Sequence, residues 1–179
     1  MKIASSITGV IVADDDPVIR GILRSKLAAI DQAVFLAANG EEAVALASGI
    51  QAAMVILDIK MPRLNGLDAC QFIRKLPGYA QTPIVILTAS DEQGIEDTAA
   101  RAGATAFLTK PFRGASLLEM LARFLPMDAA TLRTIQGDAD RATRIAQGGP
   151  APAHNRISTP LGPASALDRS TTILGVLRG

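Results

Sequence analysis

Histidine, cysteine, tryptophan and long apolar runs are scarce or missing in this 179-residue chain, and each gap closes off a class of function. The one histidine, His154, lies in a Gly/Pro-rich stretch, which excludes histidine-based catalysis and a histidine zinc site from the strand–helix part of the chain. The one cysteine, Cys70, rules out an internal disulfide and is expected to be a small buried hydrophobe. No apolar run approaches the roughly 20 residues that a membrane-spanning helix needs. Met1 to Val12 runs straight into a strand-like segment without a signal-peptide layout. The formal net charge is only +1, with 12 basic against 13 acidic side chains up to residue 126 and 6 against 4 beyond it. Neither part is a basic surface for DNA or lipid headgroups, so direct DNA binding and membrane insertion are not expected. These gaps together describe a soluble cytoplasmic protein. Aromatics make up 3% of the residues and hydrophobic residues 49%, so the core must be aliphatic and alanine-rich.

Five short apolar runs stand out: Ile7 to Val12, Ala33 to Ala37, Ala53 to Leu57, Pro83 to Leu87 and Thr105 to Leu108. Most are continuous rather than alternating, as in strands buried on both faces of a parallel sheet. Helix-length segments separate them. The first opens with Asp16 and Pro17 as an N-cap and first-turn pair. Its Ile19, Ile22, Leu23, Leu27 and Ile30 keep helical spacing, with Arg20 and Arg24 on another face. The others are Gly40 to Ser48, Gly66 to Leu76, Asp91 to Ala102 and Phe112 to Leu125. Five strand–helix units within residues 1–126 predict a doubly wound α/β sandwich. Residues 127–147 form a candidate extra helix, 148–163 a Gly/Pro-rich linker, and 164–179 a tail with a short apolar cluster at Ile173, Leu174, Val176 and Leu177.

The chemistry-bearing residues fall at the carboxyl ends of the strand runs, where open parallel sheets bind ligands. Run one is followed by Asp14, Asp15 and Asp16, run three by Asp58, run four by Thr88, and run five by Thr109, Lys110 and Pro111. Converging carboxylates repel one another unless a cation or a proton intervenes. An all-oxygen donor set favours a hard divalent ion, and Mg²⁺, which keeps several waters, needs few protein ligands. A carboxylate so placed can attack a phosphoryl donor to give an aspartyl phosphate. Transfer of that kind depends mainly on positioning and charge, which a lysine, a hydroxyl and a metal ion supply.

The segments VIVADDDPVIR (10–20), MVILDIKMPRLNGLD (54–68), PIVILTAS (83–90) and GATAFLTKPF (103–112), in this order, resemble the receiver domain of bacterial response regulators. The resemblance covers residues 7 to about 126 and implies a flavodoxin-like five-stranded parallel sheet of order 2-1-3-4-5 with five helices. It implies that Asp58 is the phosphoacceptor. Asp15 is then the direct metal ligand, Asp14 acts mainly through water, and the backbone carbonyl of Lys60 completes the protein ligands. The cofactor is Mg²⁺, with Mn²⁺ an acceptable substitute. Thr88, the Ala89 amide and Lys110 would bind the phosphoryl group, with a cis peptide between Lys110 and Pro111 aiming the lysine inward. Thr88 and Phe107 are the switch residues. Phe107 stands where many relatives have tyrosine, and it would turn from outside to inside on phosphorylation. Lys60 and Ser90 occupy positions that tune dephosphorylation.

Two other readings compete. A phosphatase of the haloacid dehalogenase type would use Asp14 within the D-x-D-x-V run Asp14 to Val18. Its later acidic pair could only be Asp138 and Asp140, and Asp58 would go unexplained. The domain could also be a scaffold that works without phosphorylation. On the receiver reading this is not an enzyme in its own right beyond self-catalysed phosphoryl transfer and acyl-phosphate hydrolysis. The donor is a sensor histidine kinase or a histidine phosphotransfer protein. Output passes to an unidentified protein on the face of helix four, strand five and helix five, and a phosphorylation-dependent dimer is compatible with it. With no helix-turn-helix or catalytic domain in the sequence, a single-domain regulator is expected. Asp16 is expected to cap a helix, Ser90 or Asp91 to cap the fourth helix, and Arg141 and Arg144 to be solvated.

Overall fold

The computed structural model describes residues 9–89 and 94–127. The expectations for Ser90, Asp91, the extra helix, the linker, the tail, Arg141, Arg144 and His154 lie outside them. Ten elements alternate: β1 (Val10–Ala13), α1 (Pro17–Ala28), β2 (Val34–Ala37), α2 (Gly40–Gly49), β3 (Met54–Asp58), α3 (Gly66–Arg74), β4 (Ile84–Ala89), α4 (Ile95–Arg101), β5 (Ala106–Lys110) and α5 (Gly114–Phe124). The strands form one parallel sheet of order β2-β1-β3-β4-β5, the flavodoxin-like arrangement.

Period-two alternation splits each central strand between two cores. Val10, Val12, Met54, Ile56, Val85, Leu87 and Leu108 pack with Leu23 and Leu27 of α1 and with Leu117, Met120 and Leu121 of α5. Ile11, Ala13, Val55, Leu57, Ile84, Ile86 and Phe107 pack with Ala43 and Ala47 of α2, Ala69, Cys70 and Ile73 of α3, and Ala99 of α4. The second core is lined largely by alanine on its helix side, which brings those helices close to the sheet. Cys70 is fully buried and donates to the Ala102 carbonyl at 3.3 Å. Burial pushes its thiol up to about 11, the inert role expected of it.

Local signals start the helices. Asp16 accepts from the Val18 amide at 2.8 Å, so it is the N-cap of α1. Asn39 with Glu42, and Asn65 with Asp68, form reciprocal caps at α2 and α3. In α1 only Leu23 and Leu27 are fully inside, while Val18 and Ile22 are 65% and 42% exposed. Ile30 falls beyond the helix.

The strands run further at their carboxyl ends than the apolar runs suggest. Asp58, Thr88, Ala89, Thr109 and Lys110 are themselves strand residues. Their backbones stay in the ladder while their side chains change character. The parallel pairing sets Thr88 beside Thr109 and Ala89 beside Lys110, and sets Ala13 beside Leu57, one residue before Asp14 and Asp58.

Candidate functional site

β1 sits where the strand order reverses, with β2 on one side and β3 on the other. The turn after β1 and the end of β3 therefore open into the same crevice. Asp14 and Asp58 are buried there and Asp15 is exposed at the rim. Carboxylate oxygens of the three lie within 4.8 Å of one another. Lys110 reaches in from the end of β5, and its Nζ lies 2.7 Å from Asp14 Oδ2 and 2.7 Å from Asp58 Oδ1. The Lys110–Pro111 peptide is cis.

Three carboxylates against one ammonium leave the pocket with a surplus of two negative charges. A divalent cation matches that surplus, and the all-oxygen donors suit Mg²⁺ rather than a thiolate-seeking metal. Burial raises the Asp58 carboxyl above the usual aspartate range, and the charges of Asp14 and Asp15 add to the rise, with Lys110 acting against it. Burial alone would lower the Lys110 ammonium, but its hydrogen bonds to Asp14 and Asp58 outweigh it and hold the group above its ordinary value. Lys110 is thus a fixed positive charge, while Asp58 carries its negative charge at a cost in the absence of a cation.

Thr88 is buried at the end of β4, and its hydroxyl donates to the neighbouring Ala89 carbonyl at 3.2 Å. That local bond is readily exchanged for one to a charged acceptor. Ala89 is the last residue of β4, paired with Lys110. Lys60 is exposed, two residues past Asp58. Phe107 is 8% exposed and packed in the core beneath α4, so the outward orientation expected before phosphorylation is not the one seen. Without a hydroxyl to keep hydrated, the ring gains by burial and nothing opposes it.

Asp14 does not present itself as a phosphatase nucleophile. One oxygen accepts from the Asp16 amide at 2.9 Å, the other holds Lys110, and Asp16 is turned to its helix cap.

Two contributors escaped the sequence reading. A β-carbon on Gly66 would collide with the Asp58 carbonyl oxygen, and the Gly66 amide donates to the Ile59 carbonyl at 3.0 Å. Glycine here lets α3 begin directly against the phosphoacceptor candidate. The cue was the Asn-Gly pair before an apolar run. Arg20 donates to the Asp14 carbonyl at 2.6 Å, although its place on a polar helix face marks it only as a solvated side chain.

Comparison with known proteins agrees with this geometry. The family model for the response regulator receiver domain matches residues 10–122. The response regulator MprA of Mycolicibacterium vanbaalenii is 38% identical over 129 residues, which is 72% of this chain and 52% of that protein. The chain spans about half the length, or less, of the first curated relatives it matches. Among solved structures, the chemotaxis protein CheY4 of Vibrio cholerae is 32% identical with a TM-score of 0.63, covering 67% of this chain and 100% of that one. The receiver domain of the sensor histidine kinase PA1611 from Pseudomonas aeruginosa, which has a magnesium ion coordinated in its active site cleft, is 29% identical. Its TM-score is 0.60, with 67% of this chain and 98% of that one covered. From the sheet order, the acidic crevice and these matches, the chain belongs to the response regulator receiver domain family.

Proposed function

We propose that this receiver domain is a phosphorylation-controlled switch that accepts a phosphoryl group on Asp58. The observation that carries the proposal is the pairing of a buried Asp58 with Lys110 at 2.7 Å inside an acidic crevice. Asp58 Oδ1 and Lys110 are already in contact, so an incoming phosphoryl group meets its nucleophile and a counter-charge together. Asp15, Asp58 and the Lys60 carbonyl would hold Mg²⁺, with Asp14 linked through water. Receiver domains bind Mg²⁺ through an acidic pocket, and this cluster is compatible with that. When bound, Mg²⁺ neutralises charge on the phosphoryl oxygens. Lys110 orients the carboxylate, and Thr88 and the Ala89 amide bind the transferred group. Sensor histidine kinases or histidine phosphotransfer proteins are the donors, in the cytoplasm. Among the described residues no helix is long and apolar enough to cross a membrane.

Output is proposed on the face of α4, β5 and α5, by a shift between two populated states. The support is the uneven hold on α4. Its first residue follows Gly94, which offers no capping side chain and has φ +75°. Its carboxyl end is gripped from α3 through the Ala102 and Gly103 carbonyls. Ala99 is the helix's buried residue. Motion would begin at the Thr88 end, close to Phe107 on the neighbouring strand. Residues 1–126 carry every part of this machinery, and a fragment ending at Pro126 should take phosphate as the full chain does.

The test is incubation with acetyl phosphate and Mg²⁺, followed by mass spectrometry. Expected is one phosphoryl group on the Asp58 peptide and none in Asp58→Asn. Phosphorylation of that variant at the same level would sink the assignment. Turnover of phosphate monoesters that depends on Asp14 would favour the phosphatase reading.

A further inference from the structure

The turn between β1 and α1 presents two adjacent acids to a crevice that already holds a third, and like-charge repulsion tends to open it. Three bonds accepted by Asp14 oppose this. Oδ1 accepts from the Asp16 amide at 2.9 Å, Oδ2 accepts from Lys110 at 2.7 Å, and the backbone carbonyl accepts from Arg20 Nη1 at 2.6 Å. The first two fix the side chain. Of these, the third holds the peptide plane between Asp14 and Asp15, and so the direction in which Asp15 leaves the turn. Arg20 is well placed to do this, because it is the fourth residue of α1 and its own amide donates to the Asp16 carbonyl at 3.1 Å. Both ends of the residue are therefore tied to the turn. The guanidinium also lies within electrostatic reach of Glu42 at the start of α2.

We propose that Arg20 is a positioning residue of the acidic crevice: by anchoring the Asp14 carbonyl it sets the direction of Asp15 and preorganises the turn for a divalent cation. The inference rests on reading the crevice as a cation site. Two effects of Arg20 on that site have opposite signs. As a nearby positive charge it repels a cation, so its removal would tighten binding. As an anchor it has already ordered the ligand turn, so its removal weakens binding by the cost of ordering it afresh. The 2.6 Å bond points to the anchor, because a guanidinium acting by charge alone would not need to close on a backbone carbonyl.

The sign of one measurement separates them. Mg²⁺ is titrated into the full chain by calorimetry, with amide shifts at Asp15 recorded in parallel. Wild type, Arg20→Ala, Arg20→Met and Arg20→Lys are compared, each first shown to be folded by circular dichroism. Expected is a loss of Mg²⁺ affinity of about fivefold in Arg20→Ala, the lower end of site-to-site coupling. Arg20→Met, which keeps part of the stem and has no donor, carries the same expectation and serves if the alanine variant does not fold. Arg20→Lys, which keeps a donor able to reach the carbonyl, should recover most of the affinity. Unchanged or tighter binding in Arg20→Ala or Arg20→Met overturns the positioning role while leaving the cation site intact. Absence of Mg²⁺ binding near Asp15 in wild type overturns the cation reading, and this inference with it.

Discussion

The two ends of the sheet bury charge by opposite means. At the amino ends of β4 and β5, the Arg74 guanidinium is half-buried, with no carboxylate partner among the described residues. It donates to the carbonyls of Tyr79 at 2.6 Å, Thr82 at 2.7 Å and Gly103 at 2.6 and 3.1 Å. Nearby, the Tyr79 hydroxyl donates to the Ile50 carbonyl at 2.6 Å and accepts from the Ala52 amide at 3.0 Å. Neutral dipoles meet the charge, and three loops are tied together with nothing left to titrate near neutral pH. At the carboxyl ends, charge meets charge, and one lysine faces three acids. Burial acts at both ends, lowering Arg74 and raising Asp58. It is settled within the chain at one end and left for a cation and a phosphoryl group at the other. α3 joins the two, since Gly66 abuts Asp58 at its start and Arg74 grips the end of α4 at its finish. The difference teaches that rigidity at the lower end gives the upper end something to move against.

The comparison can be broken first at Arg74. Arg74→Met strips the Tyr79, Thr82 and Gly103 carbonyls of a donor. At the lower end of roughly 1–3 kcal/mol for each of the three part-buried carbonyls left unpaired, urea denaturation should show a loss of about 3 kcal/mol or more. Mg²⁺ affinity should be unchanged in the folded fraction. A loss below about 1 kcal/mol would mean that water replaces the guanidinium and the two ends differ less than stated.

Asp15→Asn probes the upper end. Mg²⁺ affinity should fall by about tenfold, equivalent to ~1.4 kcal/mol, and calorimetry checks this. Stability without Mg²⁺ should rise, because a like charge beside Asp14 and Asp58 has gone. An unchanged titration would place the cation elsewhere.

pH sharpens the contrast further. Asp58 binds its proton more tightly when folded than when unfolded, so the folded state holds more protons between the ordinary aspartate value and the raised one. Stability from this group is full below the ordinary value and is lost as pH rises through the raised one. In metal-free protein, Asp58→Asn should remove that fall from the pH profile of the urea midpoint, and saturating Mg²⁺ should flatten it. Arg74→Met should leave its shape as in wild type.

The smallest effect is expected at Thr88. Thr88→Ala loses one local hydrogen bond, about 0.5–1.5 kcal/mol of stability. It should still take phosphate, but amide shifts induced by beryllofluoride along α4 and β5 should shrink. A full response in Thr88→Ala would remove the threonine from the switch.

Much of this was legible because the chemistry sits in short motifs at the ends of apolar runs. Asp14, Asp15, Asp58, Thr88 and Lys110 are each the polar residue that ends a run or follows it, and the sheet order brings them together. Their place at the strand ends was legible too, since Asp58, Thr88, Thr109 and Lys110 close β3, β4 and β5 or lie within a residue of their ends. The lower end was silent. Arg74 looks like any arginine on an amphipathic helix, and its partners are carbonyls from segments 5 to 29 residues away, which no side-chain pattern records. Arg20 was missed for the same reason. Phe107 was placed correctly on β5, but its orientation depends on the competition between hydration and packing at one ring.

The most direct test of the account is the stability of Asp58→Asn against wild type at neutral pH, by urea denaturation with and without Mg²⁺. Without Mg²⁺ the variant should be the more stable protein, because it drops a buried charge from a crevice already in surplus. With saturating Mg²⁺ the wild type should gain stability while the variant gains little. A variant less stable than wild type without Mg²⁺ would contradict the account, since it would mean that the Lys110–Asp58 pair settles the crevice and leaves nothing for a cation to do.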